Sequence, residues 1–256
     1  MKNDGEEQQM SGVIAGRNAV AEALRSGRAI DRICLVRGER SGSVVALIAK
    51  AKQRGIPIKE IDPKKMDFMC GGAVHQGVAA VAAAKEYATV DDMFRLAQER
   101  GEPPFLIVAD GLEDPHNLGA VLRVAECAGA HGVILPERRS VGLTWAVGKS
   151  SAGAVEYIPV ARVTNLVSTL EELKKRGVWI YAADMDGQPW CGVDYSGPVA
   201  VVIGSEGAGV GRLVKEKSDF VISLPIRGKI NSLNASVACG VICYEIARQR
   251  LGIKTK

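Results

Sequence analysis

From Phe105 onward, short apolar runs alternate with helical segments, and this alternation constrains the fold more than any other feature of the sequence. Runs such as Phe105–Ala109 and Val199–Ile203 are apolar throughout, which is typical of strands buried on both faces of a sheet. Strands that are separated by helices pair in parallel. The sequence therefore predicts an α/β domain with a mostly parallel sheet and helices on both faces. Ligands bind such sheets at the carboxyl ends of the strands.

The first third of the chain repeats this alternation on a smaller scale. Its first helix is predicted at Arg17–Ser26, with Ala19, Val20, Ala23 and Leu24 on the buried face. A Gly-Glu-Pro-Pro sequence further on indicates a connection between two domains. We therefore predict four parts, which are a disordered N-terminus (1–10), a small domain (11–84), a linker (85–104) and a larger domain (105–256).

Composition argues against several classes of protein. The N-terminus is polar and acidic, unlike a signal peptide, and no apolar run approaches the roughly 20 residues of a membrane helix. The six cysteines are scattered and form no CxxC pair. We therefore expect a cytoplasmic protein with reduced thiols, no metal site and no membrane contact. Residues 1–84 hold 13 Lys and Arg against 9 Asp and Glu, which fits a polyanionic partner or a solvated surface equally well.

Two predicted strands are followed by polar and charged residues that a simple turn does not require. After Phe105–Ala109, a polar loop leads to Asn117, a candidate helix N-cap, and then to Arg123 on the first turns of the helix. After Val199–Ile203, four glycines in the next eight residues surround one carboxylate, Glu206. A backbone so rich in glycine folds tightly or lets a ligand come close.

The third such strand end is the segment Leu224–Ser236, LPIRGKINSLNAS. It brings two Asn and two Ser side chains to the start of the last helix, more than one N-cap needs. We expect Asn231 or Ser232 to cap the helix. No charged residue occurs between Ser232 and Tyr244, which predicts a buried helix start. Because an unpaired buried polar group costs about 1–3 kcal/mol, the remaining polar groups indicate a ligand.

Two segments of the sequence nearly match nucleotide-binding motifs, but neither has the required spacing. The run Gly207-Ala-Gly209-Val-Gly211 is followed by Arg212, where the dinucleotide-binding pattern GxGxxG requires a glycine. The segment from Gly142 to Lys149 has five residues between its glycines, whereas a phosphate-binding Walker A loop has four. We interpret neither segment as a nucleotide site.

Three segments in order, NLGAVLR, IGSEGAG and LPIRGKINSLNAS, resemble the signature motifs of the SPOUT methyltransferases, specifically the SpoU/TrmH branch. They span Asn117–Ser236, and their order and internal spacing match those of the family. In the first third, GRNAVAEAL (Gly16–Leu24) and HQGVAA (His75–Ala80) are similar to the ends of an L30e-like substrate domain. The whole arrangement is most similar to 23S rRNA guanosine-2′-O-methyltransferases.

The resemblance implies a small L30e-like N-terminal domain followed by a C-terminal α/β trefoil-knot (SPOUT) methyltransferase domain. It implies transfer of a methyl group from S-adenosylmethionine to a ribose 2′-hydroxyl in RNA, without a metal, by a homodimer. By residue type, the catalytic positions of the family fall on Asn117, Arg123, Glu206, Ser232 and Asn234. The methyl donor is implied to bind after Trp179–Ala183 and at Ile203, Gly204, Leu224, Ile226 and Leu233.

The family's proposed base is the arginine that corresponds to Arg123. Because a guanidinium group stays protonated, we expect Arg123 to act electrostatically, oriented by Asn117 and Glu206. RNA is expected to contact basic and polar side chains outside the motifs. The candidates are Arg17, His75, Gln76, Arg138, Arg139, Lys149, Arg227 and Lys229.

Three alternatives stay open at the level of sequence. A tRNA 2′-O-methyltransferase is disfavoured because such enzymes have a shorter N-terminal extension. A non-catalytic RNA-binding member of the fold is disfavoured because the catalytic set is intact. An antibiotic-resistance methyltransferase is compatible with the sequence. The apolar stripe of Leu233, Val237, Val241 and Tyr244 fits packing against a second subunit or against the protein's own sheet.

Overall fold

The computed structural model describes residues 12–39, 42–83 and 85–253, so the predicted disordered N-terminus lies outside the described residues. The chain divides into two compact units, and each unit has its own sheet. The first unit consists of Met1–Glu86 and Leu143–Tyr157, and the second of Tyr87–Gly142 and Ile158–Lys256.

The helices and strands follow one another in the order that the alternating sequence pattern predicts, with one additional short strand at the start. In chain order they are β1 (Val13–Ala15), α1 (Arg17–Arg25), β2 (Ile30–Val36), α2 (Gly42–Gln53), β3 (Ile58–Ile61), α3 (Pro63–Met69), β4 (Val78–Ala82), α4 (Val90–Arg100), β5 (Phe105–Asp110), α5 (Pro115–Cys127), β6 (Gly132–Pro136), α6 (Trp145–Ser150), β7 (Val160–Val163), α7 (Leu166–Lys175), β8 (Trp179–Pro189), β9 (Val199–Gly204), α8 (Arg212–Lys217), β10 (Phe220–Ser223) and α9 (Ala235–Arg250).

The first unit is built on a four-stranded mixed sheet with the order β1-β4-β2-β3. Strands β1 and β2 both run antiparallel to β4, whereas β2 and β3 are parallel. Helix α1 buries the four residues predicted for its apolar face, and this prediction is confirmed. That face packs with Ile33, Leu35 and Val44 in the core of the unit.

The segment Leu143–Tyr157 belongs to the first unit although it lies late in the sequence. Trp145 packs on the apolar cluster around Met66, and Glu156, almost fully buried, forms an ion pair with Arg28. The Tyr157 hydroxyl donates a hydrogen bond to Glu22 Oε2 at 2.7 Å. Strand β7 begins only at Val160, after the segment that these polar and apolar contacts hold.

The second unit contains a six-stranded sheet with the order β10-β8-β9-β5-β6-β7, in which every neighbouring pair is parallel. Helices α4, α7 and α8 contribute to the core on one face through residues such as Met93, Leu170 and Val214. Helices α5 and α9 pack against each other and onto strands of the same sheet. The predicted parallel sheet with helices on both faces is confirmed.

Helix α4 lies in the segment that the sequence predicted to be a linker. It begins with a capping box, in which Thr89 and Asp92 bond each other's backbone N–H groups. Its buried residues Met93 and Ala97 face the sheet of the second unit. The segment is therefore part of that unit, because the helix buries an apolar face that a free linker would leave in water. Within the described ranges, no helix has both the length and the apolar character needed to cross a bilayer.

Candidate functional site

Three side chains from distant parts of the sequence form one hydrogen-bond network at the carboxyl edge of the parallel sheet. Asn117 Nδ2 donates to Glu206 Oε1 at 2.8 Å. Asn234 Nδ2 donates to the same Glu206 oxygen at 2.6 Å and to Asn117 Oδ1 at 2.9 Å. Each of the three polar strand ends therefore contributes one side chain. We call Asn117, Glu206 and Asn234 together the Asn–Glu–Asn network.

Asn117 enters the network from the first turn of α5. That helix is capped by Asp114, whose Oδ1 accepts from the His116 backbone N–H at 2.9 Å, and has Pro115 at its first position. The prediction that Asn117 is the N-cap was therefore wrong, because capping falls to the aspartate before the proline. Asn117 is instead left to bond other side chains and is only 6% exposed. A buried amide in such a position needs partners, and the network supplies them.

Asn234 has two structural roles. Its Oδ1 caps α9 by accepting from the Ser236 and Val237 backbone N–H groups at 3.0 and 3.3 Å, and from the Ser236 hydroxyl at 2.6 Å. The prediction that Asn231 or Ser232 caps this helix was wrong, because the chain up to Asn234 stays non-helical and lines a cavity. The cap fixes the amide oxygen, so the Nδ2 group is aimed at Glu206 and Asn117.

Glu206 stands in a tight loop after β9. Ser205 and Gly209 exchange backbone hydrogen bonds of 3.1 and 3.0 Å, which closes the loop on itself. Gly204 lies so close to the returning chain that a β-carbon on it would sit 2.1 Å from the Gly209 carbonyl carbon and 2.2 Å from Val210 N. The glycines of this segment therefore allow the backbone approach that presents Glu206 to the two asparagines.

The substitution Gly204→Ala is expected to destabilise the protein by about 3 kcal/mol or more, because backbone atoms cannot move aside for the added methyl group. The matched substitution Gly192→Ala, where no atom lies within 4 Å of the added carbon, is expected to change the free energy of unfolding by less than about 0.5 kcal/mol. Urea unfolding followed by circular dichroism compares the two variants. Equal stability of both would contradict the close approach.

A cavity of about 520 Å³, which we call the first cavity, opens beside the network. Its lining includes all five predicted methyl-donor residues, which are Ile203, Gly204, Leu224, Ile226 and Leu233. Glu206, Ser232 and Asn234 also line it. Its volume lies within the range of about 300–1,000 Å³ that is usual for small-molecule sites, and its lining combines apolar side chains with a few polar groups.

The first cavity is also lined by residues from the middle of β8, among them Asp184 and Met185, which none of the three motifs includes. Between Ala182 and Gln188 strand β8 leaves its regular pairing with β10, since Val221 pairs with Ala182 and the next residue pairs with Gln188. The outward segment contributes Ala183, Asp184 and Met185 to the cavity. The sequence predicted a ligand loop here, but the bulge depends on strand pairing, which the sequence does not reveal.

Lys215 on α8 fixes this bulge. Its Nζ forms ion pairs with Asp186 at 2.6 Å and with Asp184 at 2.9 Å. The hydrogen bond with Asp186, followed by the one with Asp184, raises the pKa of Lys215 above its usual value. The same hydrogen bond lowers the pKa of Asp186. The pairing therefore keeps its opposite charges at neutral pH and holds the wall of the first cavity in place.

A second cavity, of about 540 Å³, lies on the other side of the loop Ser205–Gly209. Ser205, Glu206, Ala208 and Gly209 line both cavities. Asn117 lines only the second cavity, and Asn234 lines only the first. The Asn–Glu–Asn network therefore connects two adjacent binding spaces. The second cavity is also lined by polar and charged residues from the ends of β5 and β6, which are Asp110, Glu113, Asp114, Arg138 and Arg139.

Arg123 does not join this network in the chain that the structure describes. It follows Asn117 by six residues, so its Cα lies about 9 Å further along α5 and about 120° around the helix from that of Asn117. Its side chain is exposed, and among the described residues it has no hydrogen-bond or ion-pair partner. Within one chain Asn117 and Glu206 bond Asn234 and not Arg123, so the orientation of Arg123 by these two residues stays a prediction.

Three of the predicted RNA contacts meet in the first unit. Arg17 Nε donates to the Gln76 carbonyl oxygen at 2.9 Å, and the Arg17 backbone N–H donates to Gln76 Oε1 at 3.4 Å. His75 Nδ1 accepts from the Gly77 N–H, so its Nε2–H donates to Asp67 Oδ1 at 2.9 Å. The structure brings these side chains to one end of β4.

The other predicted RNA contacts are dispersed on exposed surfaces. Lys149, in the first unit, lies with its Nζ 5.4 Å from the centre of the Trp145 ring. Arg227 and Lys229 are exposed on the segment before α9, and Arg138 and Arg139 line the second cavity. Across the described ranges, no group of three or more His, Cys, Asp or Glu side chains is arranged to hold a metal ion.

Two family models match the chain, one for each part of the sequence. Residues 104–244 match the model described as the SpoU rRNA Methylase family. Residues 13–88 match the model described as RNA 2′-O ribose methyltransferase substrate binding. The first match includes the whole Asn–Glu–Asn network and the lining of both cavities.

Relatives and solved structures agree with these matches. A Bacillus subtilis (strain 168) protein, YacO, described as a candidate TrmH family tRNA/rRNA methyltransferase, is 49% identical over 94% of this chain and 97% of its own. The AdoMet-bound rRNA methyltransferase from Sinorhizobium meliloti is 24% identical, has a TM-score of 0.78 and covers 98% of this chain and 91% of its own. The A. aeolicus TrmH/SpoU tRNA modifying enzyme is 29% identical, with a TM-score of 0.54, over 63% of this chain and 84% of its own. These likenesses confirm the predicted fold class.

Proposed function

The chain belongs to the SpoU rRNA methylase family and is an S-adenosylmethionine-dependent RNA methyltransferase, and we infer that it methylates a ribose 2′-hydroxyl of 23S rRNA, with a guanosine as acceptor. The observation that carries this inference is the position of the Asn–Glu–Asn network between two cavities. Methyl transfer needs a donor and an acceptor held in line across one point. A donor in the first cavity and a ribose in the second would meet at Glu206.

The first cavity fits the methyl donor. Its apolar side chains Leu224, Ile226 and Leu233 suit an adenine ring, and the backbone of Ile203 and Gly204 can bond the polar parts of the ligand. S-adenosylmethionine supplies an electrophilic methyl group on a positively charged sulfur. The carboxylate of Glu206, which also lines this cavity, favours such a cation electrostatically.

The network residues position the reacting groups. Asn234 and Asn117 both donate to one oxygen of Glu206, which fixes the carboxylate in one orientation. Ser232 lines the first cavity together with Glu206 and Asn234 and brings a hydroxyl group to it. A carboxylate, two amides and a hydroxyl held in place before the substrate arrives lower the cost of aligning the ribose oxygen with the methyl group.

We further infer that the protein is a homodimer and that Arg123 acts in the partner's site. Helix α9 exposes an apolar stripe at helical spacing, with Val237, Val241 and Tyr244 at 51, 39 and 55% exposure. The prediction that this helix start is buried was wrong for the single chain. A charge-free stripe of this kind is explained by a second copy that covers it. A β-carbon added at Gly240 on α9 would lie 3.8 Å from Val124 Cγ2, so α5, the helix that carries Arg123, packs against α9.

The dimer leads to a direct prediction. Val241→Glu is expected to weaken dimerisation at least about 100-fold, because a two-fold interface buries each substituted residue twice. The control is Val45→Glu on α2 of the first unit, where the valine is 53% exposed against 39% for Val241, and it is expected to leave the dimer intact. Sedimentation velocity over a range of protein concentrations measures both. A monomeric wild-type protein, or a fully dimeric Val241→Glu variant, would exclude this interface.

RNA recognition outside the network is proposed to involve the remaining basic and polar candidates, in the cytoplasm where the RNA is found. Arg17, His75 and Gln76 form one group in the unit that matches the substrate-binding model. We expect them to bind RNA distant from the reacting ribose. Single-stranded RNA is the expected target form, because a ribose inside an A-form helix is hard to enclose. The other proposed contacts are Arg138, Lys149 and Lys229.

A tRNA acceptor is the second candidate, since the name of the Bacillus subtilis relative gives both tRNA and rRNA. Two observations favour rRNA. Residues 13–88 match a substrate-binding model, and the solved tRNA-modifying enzyme corresponds to only 63% of this chain. The experiment is transfer of labelled methyl groups into rRNA and tRNA purified from a strain that lacks the gene. We expect label in 23S rRNA alone, and label confined to tRNA would overturn the rRNA assignment.

A further inference from the structure

We propose that the second cavity binds the acceptor nucleotide and that Arg138 and Arg139 together hold the phosphate next to the methylated ribose. This inference rests on the proposed function. It assigns a role to a cavity that the family resemblance leaves without one, and it assigns the expected RNA contact of two neighbouring arginines after β6 to one phosphate.

The position of the second cavity supports this assignment. Asn117 and Glu206 line it, and Glu206 also lines the first cavity. A nucleotide in the second cavity would therefore place its ribose against the Asn–Glu–Asn network. The cavity volume of about 540 Å³ is large enough for a nucleotide, given that small-molecule sites span about 300–1,000 Å³.

Most carboxylates of the second cavity already accept hydrogen bonds from other groups of the protein. Asp110 Oδ2 accepts from the Gly211 N–H at 2.7 Å, and Asp114 Oδ1 accepts from the His116 N–H at 2.9 Å. Glu206 accepts from two amides. Three of the four carboxylates therefore already bind donors of the protein, and the fourth, Glu113, is exposed on the loop after β5.

The two arginines of the second cavity differ from these carboxylates in their bonding. In the part of the chain that the structure describes, neither Arg138 nor Arg139 forms a hydrogen bond or an ion pair, although carboxylates line the same cavity. Many arginines elsewhere are paired, for example Arg28, Arg176 and Arg248. Two adjacent guanidinium groups with unused donors match a phosphate, whose oxygens accept the paired N–H groups of an arginine.

The backbone also indicates a ligand site. Arg139 has a φ of 57°, a left-handed conformation that residues other than glycine rarely adopt. The next two residues hold it, because the Ser140 hydroxyl and the Val141 N–H both donate to the Leu112 carbonyl oxygen, at 3.3 and 2.9 Å. These bonds fasten the loop after β6 to the loop after β5. An unfavourable conformation fixed by neighbours on the rim of a cavity is typical of a residue that contacts a ligand.

The test uses the full-length protein and substitutions at both arginines. Arg139→Gly removes the guanidinium group and suits the left-handed backbone, so it separates the loss of charge from a loss of folding. Arg138→Ala removes the neighbouring charge, and Arg139→Lys keeps a charge but not the paired donors. Arg95→Ala on α4, which lines neither cavity, is the control for the loss of one surface arginine.

We expect Arg139→Gly and Arg138→Ala each to raise the Kd for 23S rRNA fragments about 10-fold, with the Kd for S-adenosylmethionine unchanged. The slope of log Kd against log salt is expected to become shallower by about 0.7 for each lost phosphate contact. Arg139→Lys should recover the salt slope but only part of the affinity. The control should match the wild type in every measurement.

Two results would overturn the assignment of the arginines. One is an unchanged RNA affinity and salt slope in the Arg138→Ala and Arg139→Gly variants. The other is an equal loss in Arg95→Ala, which would show a general effect of charge. The proposed function is decided separately, by whether the wild-type protein methylates rRNA, so a failure of either idea can be recognised by itself.

Discussion

The variant Asn234→Asp is expected to reduce kcat for RNA methylation by at least about 100-fold, while its melting temperature stays within about 3 °C of the wild type. An aspartate keeps the side-chain oxygen that caps α9 through the Ser236 and Val237 N–H groups. It lacks the Nδ2 donor that bonds Glu206 Oε1 and Asn117 Oδ1. The added negative charge also repels Glu206, so the carboxylate loses its fixed orientation.

The matched control for this variant is Asn231→Asp, three residues earlier on the same exposed segment. Asn231 lines the first cavity, but the described residues give it no hydrogen-bond partner. We therefore expect the control to change kcat by less than about 5-fold. Single-turnover rates at saturating S-adenosylmethionine, together with thermal unfolding, make the comparison. If Asn234→Asp were as active as Asn231→Asp, the network would have no role in methyl transfer.

The second large effect is expected in mixed dimers of Arg123→Ala and Glu206→Ala. Each variant alone is expected to retain less than about 1% of the wild-type rate, because each lacks one part of both sites. If Arg123 acts in the partner's site, a heterodimer contains one complete site, formed by Glu206 of the first variant and Arg123 of the second. We therefore expect the isolated heterodimer to recover about half of the wild-type rate.

Heterodimers are isolated by placing a different affinity tag on each variant and purifying through both tags. The control is a heterodimer in which one subunit carries both substitutions and the other is wild type, which has no complete site when Arg123 acts across the interface. If Arg123 acted in its own subunit, the activities would be reversed. The heterodimer with both substitutions in one subunit would then be active, and the heterodimer with one substitution in each subunit would be inactive.

The order of the elements could be predicted from the sequence because it depends on local patterns, whereas the residues of the first cavity were implied by the resemblance of three motifs to the SpoU/TrmH branch. Apolar runs and helical periodicity locate strands and the buried face of α1. The three motifs fall after β5, β9 and β10, and the carboxyl ends of parallel strands share one edge of the sheet. Their convergence at Asn117, Glu206 and Asn234 follows from that rule.

What the sequence did not reveal depends on contacts between distant residues. The cap of α9 is Asn234 because the preceding chain lines the first cavity, and a run of Asn and Ser does not indicate which residue begins the helix. The bulge after Ala182 depends on pairing with Val221. Helix α4 was taken for a linker because its Pro-Pro ending is a loop signal, although its apolar face packs on the sheet. Arg123 was grouped with Asn117 through the resemblance of one motif, and in the structure six residues of helix α5 separate the two positions.

We expect the Asn–Glu–Asn network to direct a methyl group to a ribose hydroxyl. The most direct measurement is nucleoside analysis of rRNA from a strain lacking the gene, after reaction with labelled S-adenosylmethionine and either the wild-type protein or Asn234→Asp. The account predicts that the wild type places the label on the 2′-oxygen of a single guanosine, and that the variant yields at most about 1% as much in the same time. Label on a base, or equal labelling by the variant, would contradict it.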